Sequence, residues 1–213
     1  MSRTDVCSLI VGDSNIGRLV TGNLNKICLR GNKLGQIHRY TVGLLRNTQK
    51  SSESLPCIIY VYGGFCDLVT KLPSKELIVE EFSLESLHNA ALKFKSDCSD
   101  FNVRVVFCTI NPCDLMTVNS RPGIKKQYSE FYAEMQSSLL SRVKEWNNFL
   151  LSVNMQSGLV TPFFASWVLK VKKSLVYPNY HLLHDDGVYP SNVLLVHWQE
   201  HLQKTHEKNM NFL

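Results

Sequence analysis

Short apolar runs and longer stripes of helical spacing take turns along the whole chain. Residues 6–11, 36–42, 57–62, 103–110 and 159–164 are runs of strand length, rich in β-branched and aromatic side chains, and predict five strands. Ile58-Ile59-Tyr60-Val61-Tyr62 has no charged position, as expected of a strand covered on both faces in a parallel sheet. Helical spacing runs over 16–29, 83–95, 125–153 and 191–205. In the third, Phe131, Met135, Leu139, Val143, Trp146 and Leu150 recur three or four apart, an apolar stripe about five turns long. Polar stretches at 47–56, 119–123 and 170–179 predict loops. Strands alternating with helices imply right-handed βαβ crossovers and a mostly parallel five-stranded sheet with helices on both faces. No repeat, low-complexity tract or linker interrupts the pattern, so residues 1–213 are expected to form one domain.

Composition narrows the class. With 44% apolar and 19% charged residues, the chain has enough core-forming residues to fold and no disordered signature. No apolar run approaches the roughly 18 residues that a membrane helix needs. Met1-Ser2-Arg3-Thr4-Asp5 carries no apolar leader, and an intracellular (cytoplasmic or nuclear) location is expected. The seven cysteines (Cys7, Cys28, Cys57, Cys66, Cys98, Cys108, Cys113) are odd in number and lack a CxxC pair, so they read as reduced, small hydrophobes. Neither zinc spacing, a dinucleotide fingerprint nor a P-loop is present, and no metal or cofactor is expected.

Charge adds one feature. The net charge is +5, but Arg18, Lys26, Arg30, Lys33, Arg39, Arg46 and Lys50 fall between Ser14 and Lys50 without a single acid. Such a segment either forms a solvated face neutralised from elsewhere or a surface able to hold phosphates, with RNA as the candidate partner and Arg18, Arg39 and Arg46 as candidate contacts.

In a parallel sheet, ligands sit at the carboxyl ends of the strands, and four such ends carry chemistry. Ile10-Val11-Gly12-Asp13-Ser14-Asn15 leads an apolar strand into a small-residue turn that either exposes a nucleophilic hydroxyl or caps a helix. Gly43 follows the predicted second strand. Tyr62-Gly63-Gly64-Phe65-Cys66-Asp67 is a glycine-rich turn ending in an acid, and His184-Asp185-Asp186-Gly187-Val188-Tyr189 leads into the last helix.

In order and spacing these four blocks resemble the SGNH (GDSL-type) hydrolases. The resemblance spans nearly the whole chain and implies a three-layer α/β/α, flavodoxin-like fold that hydrolyses acyl or acetyl esters. It implies Ser14 as nucleophile, Gly43 as a backbone oxyanion donor and Asp186 as the acid position. The chain departs from the family at two points. The third block is Gly-x-Asn-Asp in the family and Gly64-Phe65-Cys66-Asp67 here, so Cys66 stands for the oxyanion asparagine. The last block is Asp-x-x-His in the family and Asp186-Gly187-Val188-Tyr189 here, so Tyr189 stands for the base.

Both departures fall on chemistry. A serine needs a neighbouring base near neutrality, whereas a phenol, titrating near ~10, holds its proton at pH 7. A thiol is a weaker donor than an amide. His184 is the substitute base on offer; His197, on the last helix, reads as a packing or surface residue. Asp186, Ser14 and Asp67 can equally persist as turn and cap residues. The expectation is an impaired or inactive esterase-like domain acting as a binding module, with a weak ester hydrolase acting through Ser14 as the alternative. Its ligand, a small ester or other molecule, would occupy the cleft at the strand ends.

Overall fold

A computed structural model describes residues 8–22, 24–120, 129–167, 169–172 and 175–212. Its centre is a four-stranded, all-parallel sheet of β1 (Ser8–Gly12), β2 (Asn25–Cys28), β3 (Ile58–Tyr62) and β6 (Arg104–Phe107), in the order β2-β1-β3-β6. β1 and β3 are buried at every position, which is why their sequences are apolar without alternation. On β3, Tyr60 and Tyr62 face the last helix, α6 (Asn192–Met210), through His206, Asn209 and Trp198. The opposite face is covered by α1 (Leu34–Lys50) and α3 (Glu85–Ser99), with Phe94 of α3 packed edge-on against Phe107. The long α5 (Ser129–Met155) packs beside β6 and α3, and its Trp146 and Leu150 are fully buried.

Smaller elements fill the connections. A short helix α2 (Phe65–Leu68) follows β3, then a hairpin of β4 (Val69–Lys71) and β5 (Leu77–Val79) that the hydrophobic pattern did not predict. α4 (Leu115–Asn119) precedes α5, and β7 (Leu169–Lys172) pairs with β8 (Leu175–Pro178). No helix among the described residues is long and apolar enough to cross a membrane.

Three sequence expectations are corrected. Residues 36–42 are helix, not strand: Leu34, Ile37, His38, Thr41, Val42 and Leu45 are the buried positions of α1, a helical period that the β-branched cluster Thr41-Val42 disguised. Residues 16–29 are not a helix. The chain makes one 3-10 turn (Ser14–Arg18), breaks at the left-handed Gly22, and becomes the edge strand β2, whose polar Asn25-Lys26 hides its strand character. Residues 159–164 add no fifth strand. Thr109 N–H still donates to Pro162 O (3.1 Å), but Pro162 has no N–H to return, and side-chain amides take over the pairing.

That substitution is systematic. The amide of Asn154 both accepts from the N–H and donates to the C=O of Phe107, and Asn147 does the same to Ile110, Asn209 to Val160 and Asn119 to Leu77. All four asparagines are buried, and each replaces the partner that a neighbouring strand would supply. Residues 170–179, expected as a loop, hold the β7–β8 hairpin, and 47–50 belong to α1. Val6, Cys7, 121–123 and 125–128, which entered the strand, loop and helix expectations, lie outside the described residues.

Candidate functional site

Close packing fixes the chain at the ends of β1 and β3. A Cβ on Gly12 would strike the backbone of Tyr62. Gly64, at φ 107°, would drive a Cβ into the Trp146 indole, whose Nε1 donates to Gly63 O at 3.1 Å. Beyond Gly12 the ladder continues, with Asp13 N–H donating to Tyr62 O (3.2 Å) and Leu29 N–H to Gly12 O (2.7 Å).

Asp13 is buried and caps the 3-10 turn: its Oδ1 accepts from Asn15 N (2.9 Å) and Asn15 Nδ2 (3.1 Å). Its Oδ2 is buried and has no hydrogen-bond partner among the described residues, and the same holds of Asn15 Oδ1. Burial pushes the Asp13 carboxyl up to about 6, with the two Asn15 bonds pulling against it and the negative charge of Asp67 adding to it. Asp67 is likewise pushed by burial to about 6, opposed by the Leu34 N–H (2.8 Å) at the start of α1 and by the Lys33 charge. Between these two carboxyls in the electrostatic balance stands Cys66, whose thiol burial raises to about 12, with Asp13 and Asp67 reinforcing the rise. Cys66 is therefore a neutral thiol at pH 7 and no nucleophile.

Ser14 opens the 3-10 turn, half-buried, and its hydroxyl makes no hydrogen bond among the described residues. Four residues on, the exposed Arg18 guanidinium lies 5.2 Å from the centroid of the Tyr189 ring. The fold thus brings the first and last sequence blocks together at Arg18 and Tyr189. In the last block, Asp186 Oδ1 accepts from the N–H groups of Val188 and Tyr189, both at 2.9 Å, closing an Asx-type turn. His184 is exposed; its backbone pairs with Tyr189 O (2.7 Å) and Gly187 N (2.8 Å). Gly187 O accepts from Asp114 N (2.7 Å), which docks the turn on α4. None of the seven histidines is hydrogen-bonded to Ser14. His197 is half-buried on α6, and His38 lies 2.9 Å from Asp97 between α1 and α3.

Gly43 does not reach the site. It sits in the middle of α1, where its N–H belongs to the helical ladder. The glycines that follow the observed second strand are Gly31 and Gly35, and both line a cleft of about 550 Å³ together with Lys33, Arg39, Asp67 and Phe82. Gly35 lies in the first turn of α1, where backbone N–H groups have no helical acceptor. The helical spacing of Leu34, Ile37, Thr41 and Leu45 is the sequence signal that identifies it. The cleft meets the motif residues at Asp67; Ser14 does not line it. Of the basic candidates, Arg18 covers Tyr189, while Arg39 and Arg46 lie exposed on α1. Among the described residues no cluster of three or more His, Cys, Asp or Glu could hold a metal ion.

No protein-family model and no curated protein matches the chain. Solved structures do. A GDSL-like lipase from Bacteroides thetaiotaomicron aligns over 98% of this chain and 90% of that chain, with TM-score 0.64 at 10% identity. A carbohydrate esterase of family 3 from Talaromyces cellulolyticus aligns over 97% and 99%, with TM-score 0.56 at 12% identity. The OSK domain of Drosophila Oskar aligns over 93% and 87%, with TM-score 0.56 at 10% identity. At these identities what is shared is the architecture: the chain has the three-layer, flavodoxin-like fold of the SGNH (GDSL-type) hydrolases.

Proposed function

We propose that this chain is a binding module built on the SGNH hydrolase fold, with serine ester hydrolysis lost. The observation that carries the reading is the contact between Arg18 and Tyr189. The residue in the place of the family's base is a phenol, its ring is occupied by a guanidinium, and no histidine is hydrogen-bonded to Ser14. Without a base the hydroxyl is not activated. Cys66, in the place of an amide donor, is a neutral thiol, and losing one oxyanion donor alone costs on the order of 10²–10³ in rate. Retention of Asp13 and Asp186 follows from their backbone work: Asp13 caps the 3-10 turn that Ser14 opens, and Asp186 closes the turn before α6. The cleft at Asp67 is where a small ligand would sit.

The second reading, a weak or atypical ester hydrolase, draws on the unbonded Ser14 hydroxyl and on the Gly35 N–H in the first turn of α1, beside the Leu34 N–H that Asp67 already holds. Hydrolysis of a short-chain aryl acetate by the parent, Ser14→Ala and Tyr189→His proteins separates the two. The binding-module reading expects no Ser14-dependent turnover in the parent and, where the oxyanion donors persist, a gain in Tyr189→His. Parent turnover that vanishes in Ser14→Ala overturns it and makes Ser14 a working nucleophile.

A further inference from the structure

The acid-free segment of the sequence acquires a shape once residues 34–50 are seen as helix. Of its seven cations, Lys26 is consumed locally, its Nζ donating to Gly17 O (2.9 Å) and Leu19 O (2.7 Å), and Arg18 lies over Tyr189. The others gather. Lys33 stands at the N-cap of α1, and at 100° per residue Arg39, Tyr40, Gly43, Arg46 and Lys50 fall on the side of the helix away from the buried Leu34, Ile37, Thr41 and Leu45. The helix carries no acid at all. Arg39, Arg46 and Lys50 are exposed and form no ion pair with a described carboxylate.

Two further features set this face apart from a solvated helix surface. Tyr40 stands among the cations with 46% of its surface exposed, an accessible aromatic plane. Gly43 sits at the centre of the stripe, where a Cβ would meet nothing within 4 Å. Glycine in a helix interior is destabilising relative to alanine, and packing gives no reason for it here. What it leaves is bare backbone between Tyr40 and Arg46, open to close approach of a ligand. At the N-terminal end the stripe runs into the cleft, which Lys33 and Arg39 line together with Phe82. Two carboxylates lie close by: Asp67 in the cleft, held to Leu34 N–H, and Asp97, paired with His38 and Lys93.

We propose that this face of α1, about 25 Å from Lys33 to Lys50, binds single-stranded nucleic acid, its cations on the phosphates and Tyr40 stacked on a base. The combination of a basic track with an accessible aromatic plane is what recognition of single strands requires. An acidic protein would be served by the cations alone and gives no use to Tyr40 or to the gap at Gly43. The inference does not depend on the fate of Ser14, since the stripe lies outside the residues that stand for the catalytic set.

The test is fluorescence anisotropy of a labelled 20-nucleotide oligouridylate with the full chain, beside oligothymidylate, a 20-bp duplex and a polyglutamate competitor. Four phosphate contacts on a single strand give a slope of log K against log salt of about −3, so that binding weakens about 50-fold between ~50 and ~200 mM salt. Arg39→Ala with Arg46→Ala should halve that slope. Tyr40→Ala should weaken binding about ten-fold or more at every salt concentration without changing it. Gly43→Ala should raise the urea midpoint while weakening binding, a pairing that loss of folding cannot produce. Lys144→Ala, an exposed cation on α5, should leave binding as in the parent.

Preference for oligouridylate assigns the surface to RNA, and equal affinity assigns it to single strands of either sugar. Indifference of binding to the Arg39/Arg46 pair, a stronger grip on the duplex, or full competition by polyglutamate overturns the proposal. The same proteins assayed on aryl acetate keep the two readings apart: esterase turnover refutes the loss of hydrolysis and leaves the α1 surface standing.

Discussion

The two sides of the candidate site are held by different means. On the strand side, Gly12, Asp13, Tyr62 and Gly64 are locked by close backbone approach and burial, and every change there is felt by the core. On the turn side, residues 183–191 are held mostly by their own backbone: Leu183 bridges Pro190, His184 pairs with Tyr189, and Asp186 accepts two N–H groups. The difference separates positions that backbone and sterics fix from positions that they leave open. Gly12, Asp13 and Asp186 each satisfy backbone or sterics whether or not the protein is an enzyme. The side chain at 189 satisfies neither; its ring lies beside Arg18, and on the proposed reading it stands where the SGNH hydrolases carry their base.

The largest effect that would break this contrast is expected at Gly64. Gly64→Ala places a methyl against the Trp146 ring at a backbone conformation that L residues avoid. Overpacking and left-handed strain together cost about 3 kcal/mol or more, read as a drop in the urea midpoint. A midpoint within error of the parent would mean that the strand side is as adaptable as the turn.

Next comes the pH dependence that Asp13 imposes. Its carboxyl rises from the ordinary 3.8 to about 6 in the folded state, so between those values the native state binds more protons than the unfolded chain. Stability from this group is therefore full below about pH 4 and lost as pH rises through about 6, a change of about 3 kcal/mol. His201 and His206, whose ring burial lowers their proton affinity, work in the opposite direction in an overlapping window. The informative quantity is thus the difference between the parent and Asp13→Asn, measured by urea unfolding from pH 4 to pH 7. That difference should shift in favour of Asp13→Asn by up to the same amount; a flat difference would show that Asp13 is not desolvated.

What was legible in the sequence follows the same division. The buried strands were readable because burial on both faces removes charge from them, and α3, α5 and α6 because their stripes are long. The alternation of elements and the four strand-end blocks pointed to the fold. The edge strand was not readable: Asn25-Lys26-Ile27-Cys28 is half solvated and carries no apolar pattern. Missing it displaced the second strand by one element, turned α1 into a strand and put a strand-end glycine at Gly43, which lies in the middle of α1. The absent fifth strand was hidden for another reason. Along the β6 edge the buried Asn154 and Asn147 do the pairing through side chains, and nothing in a hydrophobic pattern marks an asparagine as a surrogate strand.

The smallest effects test the turn. Asp186→Ala removes the acceptor of two N–H groups and should cost about 1 kcal/mol, as the loss of a cap does, whereas Asp186→Asn keeps a side-chain oxygen for them and should restore most of it. Tyr189→Phe keeps the ring beside Arg18 and should be neutral, and Tyr189→Ala should lose about 0.5–1 kcal/mol of that contact. A catalytic role for the carboxylate predicts another ranking. In a Tyr189→His background, Asp186→Asn would then leave stability intact and abolish aryl acetate turnover, because an amide cannot hold a histidine in its charged form. Equal stability and equal turnover in the two backgrounds would mean that Asp186 serves the turn alone, and that the geometry outlasted the chemistry because the backbone still needs it.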